Sequence, residues 1–510
     1  MKPKDFLLAA FSGILLVLIF PSANVSILSW VALVPLLVCL RGKSPGNSLL
    51  LGFVAGFTGF AGILYWIVKT LVAYGGISVL VSVLLFIILV SYIALYVAIF
   101  AWGVSLFSCR FSSVLLRVFL SSCLWVSLEI MRTYALTGFP WALLGYSQWR
   151  SLAVIQVAQF TGVYGISFLI VLINAALAEI IATNCDSESS RVGFKVAAGA
   201  LVVLLGVVIY GSYSLKDGGF DNDANSVNIS VIQANISQDK KWDKTKQFSV
   251  IETYSRLTKQ AALHGAEVTV WPETAVPGYM RYQGGLLRRV KDIARSNRIW
   301  LILGSPDFVD EKYYNAAFII SPEGEIRGSY YKMHLVPFGE TVPLRKPLSR
   351  YFEVLEEMGD FTPGDEFSLL VSDKGVFAAV ICFESIFPDL FRRFVKEGAQ
   401  VMVNVTEDGW YGRTSAPWQH FSVNVFRAVE NRVSVVRSAN TGISGFIDPW
   451  GRVKKSTDIF TEDFLVGKVP IRTPGTFYSK RGDLFSYLCI LITLAAIIAA
   501  IIKTEGVASS

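Results

Sequence analysis

The sequence predicts two structural classes in one chain: a polytopic α-helical membrane domain of about eight transmembrane helices, and an α/β domain outside the bilayer. Three observations carry this. Apolar residues make up 53% of the 510 residues and charged residues 17%, a balance foreign to ordinary soluble proteins. The apolar residues gather into runs near the ~20 residues a helix needs to cross the hydrocarbon core. From about residue 225 the pattern changes to short β-branched runs alternating with amphipathic stretches, which implies helices packed on buried sheets.

The runs that read as spans are roughly 5–21, 25–40, 49–68, 76–107, 113–131, 158–183 and 194–213, and an eighth, LFSYLCILITLAAIIAAII, covers 484–502. The 76–107 run is long enough to tilt or to extend past the bilayer. Lys2 and Lys4 precede the first run as in a signal peptide, but the following PSANVS is a poor small-residue cleavage site, so an uncleaved anchor is expected. With the N-terminus inside, the inner segments hold Lys2, Lys4, Arg41, Lys43, Arg110, Arg117, Arg191, Lys195 and Lys503, and the short outer ones hold Lys69, Arg132 and Arg150. That asymmetry predicts cytoplasmic termini and places 214–483 outside. The expected domains are 1–214 with about seven helices, 225–475, and the last helix 484–502.

The net charge of +7 does not argue for nucleic acid, because the basic residues of the first half sit between apolar runs as topology signals. The chain has no zinc-type cysteine spacing, P-loop or glycine-rich dinucleotide fingerprint, and no metal or organic cofactor is expected. A transporter or binding scaffold would place charges within several spans. Here Lys69, Arg117, Glu129, Arg132 and Glu179 fall at or near span ends. Glu129 and Arg132, three apart, read as a surface ion pair. The outer segment LTGFPWALLGYSQWR, 136–150, carries Trp141, Tyr146 and Trp149. They read as an interfacial aromatic belt, or as a lipid-facing floor or gate under an active site.

In the α/β region, VNISVIQAN, EVTVWPE, IWLILGSP, GVFAAVICFE and QVMVNVTED read as strands. Residues 244–263, 284–297, PDLFRRFVKEGA and PWQHFSVNVFRAVENR read as helices, and NAAFIISPEGEIRGSYYKM as a hairpin. Polar groups just past strand ends are where open α/β sheets build sites. Glu273 follows VTVWP, Cys382 follows FAAVI, and Thr406–Asp408 follow VMVNV.

The chain has six cysteines, Cys39, Cys109, Cys123, Cys185, Cys382 and Cys489, and Cys382 alone lies in the region predicted to be outside. Exported domains tend to pair their cysteines, so a lone one is a candidate reactive thiol. A thiol acts as a nucleophile when ionised, which calls for a base and a cation nearby. Glu273 can take the proton, and Lys332, in YYKMHLVPFGE, can hold a thiolate and an oxyanion. The backbone N–H of Phe383 is a second oxyanion donor. A Cys/His pair using His334 or His420 is the competing arrangement, while His264 reads as an ordinary helix-end residue. Buried cysteine in a strand, a capping glutamate and a surface lysine remain the bland alternatives.

WPET, YYKMHLVPFGE and CFE, in that order, resemble the carbon–nitrogen hydrolase (nitrilase) superfamily. With GFPWALLGYSQ and GVYGISFLIVLIN in the membrane half, the chain is similar throughout to the apolipoprotein N-acyltransferase family, the membrane-anchored branch. The resemblance implies a four-layer αββα sandwich, lodged in the periplasm on the cell inner membrane. It implies the final step of lipoprotein maturation: an acyl chain passes from a phospholipid, typically phosphatidylethanolamine, to the α-amino group of a diacylglyceryl apolipoprotein's N-terminal cysteine. Glu273 is then the base, Cys382 the nucleophile that carries an S-acyl thioester, and Lys332 the stabiliser. Glu340 and Glu384 match supporting glutamates, and Trp242 a tryptophan near the mouth; Trp410 and Tyr146 are further candidates for substrate binding or gating. A monomer is expected. A membrane-tethered amidase would use the same triad with water as acceptor.

Two departures stand out. Phe383 replaces the usual tyrosine after the nucleophile, and Glu407–Asp408–Gly409–Trp410 replaces a pattern close to Asn-Asp-Ala-Trp. An added carboxylate near the thiolate is expected to raise the thiol's pKa. Long acyl chains require a site open to the outer leaflet, and TAVPGYM, 274–280, and the 136–150 segment are candidates for its lining.

Overall fold

The structure, a computed structural model, describes residues 1–181, 188–217, 225–341, 361–472 and 475–508. It divides into a helical unit of 1–218, 414–422 and 481–510, and an α/β unit of 219–413 and 423–480. Cys185 lies outside the described residues.

Among the described residues, six helices of the helical unit are long and apolar enough to cross a membrane: Pro45–Leu64, Val79–Arg110, Val114–Thr137, Val163–Ile181, Arg191–Lys216 and Leu484–Ile502. Serine side chains cap three of their N-termini, Ser44, Ser78 and Ser113 each accepting a backbone N–H of the first turn. Close packing uses small residues, as usual between apolar helices. A Cβ on Gly52 would stand 2.6 Å from the carbonyl oxygen of Val97, so only glycine lets Pro45–Leu64 approach Val79–Arg110 there.

The first two expected spans differ from the rest. Residues 3–18 form a helix of 16 residues. The 25–40 run is broken into a 3-10 turn, Ser26–Trp30, and a short helix, Val34–Cys39. Pro35 can open a helix but cannot continue one. The freed backbone groups are taken up by a buried side chain. Asn174 Oδ1 accepts from Leu33 N–H at 2.8 Å, and its Nδ2 donates to Ser29 O at 2.8 Å. Irregular backbone is tolerated in such a unit where protein groups satisfy it.

The aromatic segment is not a surface belt. Trp141, Tyr146 and Trp149 are buried. Buried indole N–H groups need acceptors, and Trp141 Nε1 donates to Gln419 Oε1 at 2.8 Å while Trp149 Nε1 donates to Asn24 Oδ1 at 2.9 Å. Gln419 also accepts from Trp66 Nε1 at 3.3 Å and donates to Pro21 O at 2.9 Å. Glu129 and Arg132 are buried too, so the surface ion pair expected of them is not formed.

The α/β unit contains two six-stranded sheets. The first runs in the order β12-β1-β2-β3-β4-β5, with β1 Ser226–Gln233, β2 Val268–Val270, β3 Trp300–Val309, β4 Lys312–Ile320, β5 Ile326–Tyr331 and β12 Asp463–Pro470. The second runs β11-β10-β9-β8-β7-β6, with β6 Leu370–Ser372, β7 Gly375–Ile381, β8 Val401–Thr406, β9 Ser434–Ala439, β10 Gly445–Ile447 and β11 Val453–Ser456. Strands β1–β3 and β7–β9 are parallel, and both sets are flanked by antiparallel strands. Parallel strands are covered on both faces. The helices Gln247–Leu263 and Gly284–Asn297 bury Val250, Tyr254, Leu286 and Val290 in one core with Ile232, Leu301 and Phe318 of the first sheet. Ser438 of β9 joins the sheets: its Oγ lies 3.0 Å from the carbonyl oxygens of both Ile232 and Val270.

Candidate active site

The site residues sit where strands of both sheets end. Glu273 comes three residues after β2, Lys332 directly after β5, and Cys382 directly after β7. Glu273 and Cys382 emerge where apolar strands run out, and Lys332 follows a half-buried edge strand. Glu273 is held close against β3: a Cβ on Gly304 would lie 2.7 Å from Glu273 Cα. Cys382 has φ +52, a left-handed conformation that costs a non-glycine residue of order 1–3 kcal/mol. It opens a 3-10 turn, Cys382–Ile386, that leads into the helix Pro388–Lys396, the proline-started helix expected from the sequence.

Glu273 and Lys332 meet through shared partners. Lys332 Nζ is 2.8 Å from Glu340 Oε1 and 3.6 Å from Glu273 Oε1. Asn315 of β4 donates to Glu273 Oε1 at 2.8 Å and to Glu340 Oε1 at 2.7 Å. Glu340 Oε2 accepts Val336 N–H at 2.8 Å, which folds the loop after Lys332 back on itself. Glu384 secures the other side of the lysine. Its Oε1 accepts from Tyr330 Oη at 2.7 Å and from the N–H groups of Met333 and His334 at 2.8 and 3.0 Å, and its Oε2 accepts Ile381 N–H at 2.7 Å. One carboxylate thus ties the lysine turn of the first sheet to the cysteine turn of the second.

The three groups also act on one another electrostatically. Burial pushes the Cys382 thiol well above its ordinary pKa, the Glu273 carboxylate pushes it further, and the Lys332 ammonium pulls it down. Burial opposes the charge on Lys332, but Glu340, Glu273 and Cys382 outweigh it and hold the ammonium protonated. Burial raises Glu273 above the usual carboxylate range, against the pull of Lys332. A protonated thiol beside a raised carboxylate and a fixed cation can transfer its proton to Glu273 as the sulfur attacks a carbonyl.

The residues that depart from the superfamily pattern find partners. Glu407, 2% exposed, lies 2.7 Å from the ammonium of Lys241, also 2% exposed. Glu407 Oε2 accepts from Asn440 at 2.8 Å as well. The same pair grips Glu273 at both ends: Lys241 Nζ donates to Glu273 O at 3.0 Å, and Glu407 N–H donates to Glu273 Oε2 at 3.0 Å. Lys241 therefore takes up the charge that Glu407 adds. Phe383 packs its ring 5.3 Å from that of Phe387. Asp408 pairs with the buried Arg437 at 2.7 Å.

Of the three histidines, only His334 lies beside the site. His334 stacks 3.7 Å from the Phe387 ring, and its main chain serves Glu384. His420 is buried beside Trp141 in the helical unit. His264 bonds the Gln260 carbonyl at a helix end. Trp242 is 54% exposed, on the turn after Lys241. Trp410 lies on the turn Asp408–Tyr411, and Tyr146 is buried in the helical unit. Sequence reasoning missed Lys241, which stands in DKKWDK as one of several apparent surface lysines, and Asn315, a strand residue with no local signal.

The chain is similar to known proteins over almost its whole length. Residues 228–475 match the carbon–nitrogen hydrolase family and 12–176 match the apolipoprotein N-acyltransferase N-terminal domain. The chain is 42% identical over 505 residues to the apolipoprotein N-acyltransferase of Geobacter metallireducens, with 98% of this chain and 95% of that one covered. It is 30% identical to the enzyme of that name from Chlorobaculum tepidum, covering 98% and 97%. Among solved structures it is similar to an amidase of the nitrilase superfamily from Nesterenkonia, at 20% identity and TM-score 0.41, covering 53% of this chain and 100% of the amidase.

Proposed function

From the premise that the chain belongs to the apolipoprotein N-acyltransferase family, we propose how its residues carry out lipoprotein N-acylation. The donor is a phospholipid, phosphatidylethanolamine in this reading, and the acceptor is the α-amino group of the lipidated N-terminal cysteine of an apolipoprotein. Cys382 gives its proton to Glu273 and attacks the donor's ester carbonyl. The tetrahedral oxyanion is met by Lys332 and by the N–H of Phe383. The C–O bond breaks, Glu273 returns the proton to the departing glyceryl oxygen, and lysophospholipid leaves an acyl thioester on Cys382. The acceptor amine then attacks the thioester, the C–S bond breaks, and the amine's proton returns through Glu273 to the sulfur.

Glu340 and Asn315 hold the cation and the base, and Glu384 holds the two turns together. Trp242, Trp410 and Tyr146 are the residues proposed to contact or gate substrate. The protein acts as a monomer with about eight spans in the cell inner membrane, its termini cytoplasmic and its α/β unit periplasmic. The observation that supports this mechanism best is the meeting of Glu273, Lys332 and Glu340 within one hydrogen-bonded cluster that is coupled to the Cys382 thiol.

The test is to incubate the purified full-length protein with phosphatidylethanolamine and no acceptor, then examine the Cys382 peptide by mass spectrometry. A hydroxylamine-labile acyl group, absent in Cys382→Ala and Glu273→Ala, is expected. Protein that acylates a lipopeptide yet never shows the adduct would refute the thioester route. Release of free fatty acid without transfer would mark a hydrolase.

A further inference from the structure

Thr406 and Asp408 follow the apolar run of β8, and neither takes part in the acyl-transfer steps. The structure brings Thr406 to the nucleophile. Strands β7 and β8 run parallel with Ile381 opposite Val405, so Cys382 and Thr406 are the next residues at the two strand ends. The Thr406 side chain hydrogen-bonds the Cys382 thiol. Its Oγ1 also reaches Asp408 Oδ1 at 3.3 Å, and the residue is fully buried.

Behind the threonine stands a buried ion pair. Asp408 Oδ2 lies 2.7 Å from Arg437 Nη2, and neither side chain is exposed. Arg437 donates through Nε to Ile443 O at 3.1 Å and through Nη1 to Asn404 Oδ1. Asn404 in turn donates to Val380 O at 3.2 Å, on the strand that delivers Cys382. Gly442 closes the other side, since a Cβ there would stand 2.6 Å from Asp408 Cβ. A hydroxyl has a single proton to give. Its contact with Asp408 is long, and Arg437 already takes up the Asp408 charge. A new anion on sulfur is therefore the stronger claimant for that proton.

We propose that Thr406 is a further catalytic residue, a hydroxyl donor that holds the Cys382 sulfur whenever it becomes charged, with the Asp408–Arg437 pair as the element that positions it. No proton leaves the threonine; only its hydrogen bond is redirected. The contact is made twice in a turnover. It forms as Cys382 gives its proton to Glu273 and attacks the donor ester. It forms again as the C–S bond of the thioester breaks and the electron pair returns to sulfur. This place in the turnover rests on the acyl-transfer reading; the donation to the thiol does not.

The thiol is titrated through the pH dependence of iodoacetamide alkylation at Cys382 in the full-length protein in detergent. Glu273, Lys332, Asp408 and the Tyr411 phenol also act on the thiol and stay intact in these variants. Thr406→Val keeps the branched shape and removes the hydroxyl. Losing a donor to the thiolate raises the thiol's pKa, so the profile is expected to move to higher pH by about one unit, the scale of one hydrogen bond to a charged group. Acyl loading of Cys382 from phosphatidylethanolamine is expected to slow about tenfold. Thr406→Ser keeps the hydroxyl and loses the methyl, and it is expected to bring both readings back toward wild type. A packing role predicts the reverse order, with serine the worse variant. Thr406→Ala is a second hydroxyl-free variant should valine disturb folding. An unmoved profile in folded valine or alanine protein overturns the proposal, as does a serine profile shifted as far as that of valine. An alkylation shift in Thr406→Val together with a wild type that never loads acyl removes the acyl-transfer reading alone. Loading in the wild type with an unmoved alkylation profile removes the role of Thr406 alone.

Discussion

In the α/β unit the ammonium of Lys332 lies 2.8 Å from Glu340 and that of Lys241 lies 2.7 Å from Glu407, whereas in the helical unit Glu129 and Arg132 are buried without pairing with each other. Both regions bury charge and they use it differently. The paired ions cluster around Glu273 and fix the geometry of the proposed base. Glu129 and Arg132 are instead held by neighbouring groups of their own unit and not by each other. A buried ion pair adds little net stability, but removing one partner is strongly destabilising. The contrast can therefore be tested by taking the partners away.

The largest effect is expected at Lys332. Lys332→Met leaves Glu340 and Glu273 without their cation, and acyl transfer should drop roughly 10²–10³-fold, the scale of a lost oxyanion donor. The thiol gives a signed readout. Lys332 lowers the pKa of Cys382 and Glu273 raises it. The pH dependence of iodoacetamide alkylation at Cys382 should thus move to higher pH in Lys332→Met and to lower pH in Glu273→Gln, even though both variants lose acyl transfer. Shifts of the same sign would break the electrostatic account of the site.

Lys241 and Glu407 come next. Lys241→Met strands a buried carboxylate, at an expected cost of about 3–5 kcal/mol in the thermal or denaturant stability of the full-length protein in detergent. The double variant Lys241→Met/Glu407→Gln should recover most of that. A harmless single variant would show that Glu407 is not a burdened charge, and the contrast between the units would weaken.

Gly304→Ala sharpens the comparison on a smaller scale. Its Cβ would stand 2.7 Å from Glu273 Cα, and overpacking of this kind costs about 1–3 kcal/mol. Activity should fall further than stability, because the displaced atom carries the base. The smallest effect is expected for Ser438→Ala, about 1 kcal/mol for a lost hydrogen bond between the sheets, with transfer per folded molecule unchanged.

Much of the fold and the core of the site were legible in the sequence. The helix 284–297 and the hairpin around Gly324 formed where the pattern placed them, because amphipathic period and turn chemistry are local. Glu273 and Cys382 could be singled out because each follows an apolar strand run, and Lys332 because a thiolate needs a cation nearby. Other features were not legible, for reasons of distance. β12 returns from Asp463–Pro470 to pair with β1, more than two hundred residues earlier in the chain, and its exposed edge hides the pairing. The 25–40 run has a span's composition, but Asn174 is what lets its backbone break. Trp141 read as an interfacial aromatic until Gln419 supplied the acceptor that buries it.

The sequence by itself determined the two classes of structure, the helical and strand segments, the family, and which thiol stands alone in the α/β region. These are properties of composition, period and order, which neighbouring residues express without reference to the rest of the chain. Only the tertiary structure decided that Lys241 balances Glu407, that Glu384 joins the lysine and cysteine turns, and that Glu129 and Arg132 are buried. The energy of a charge depends on which groups surround it, and those groups come from parts of the chain that only folding brings together.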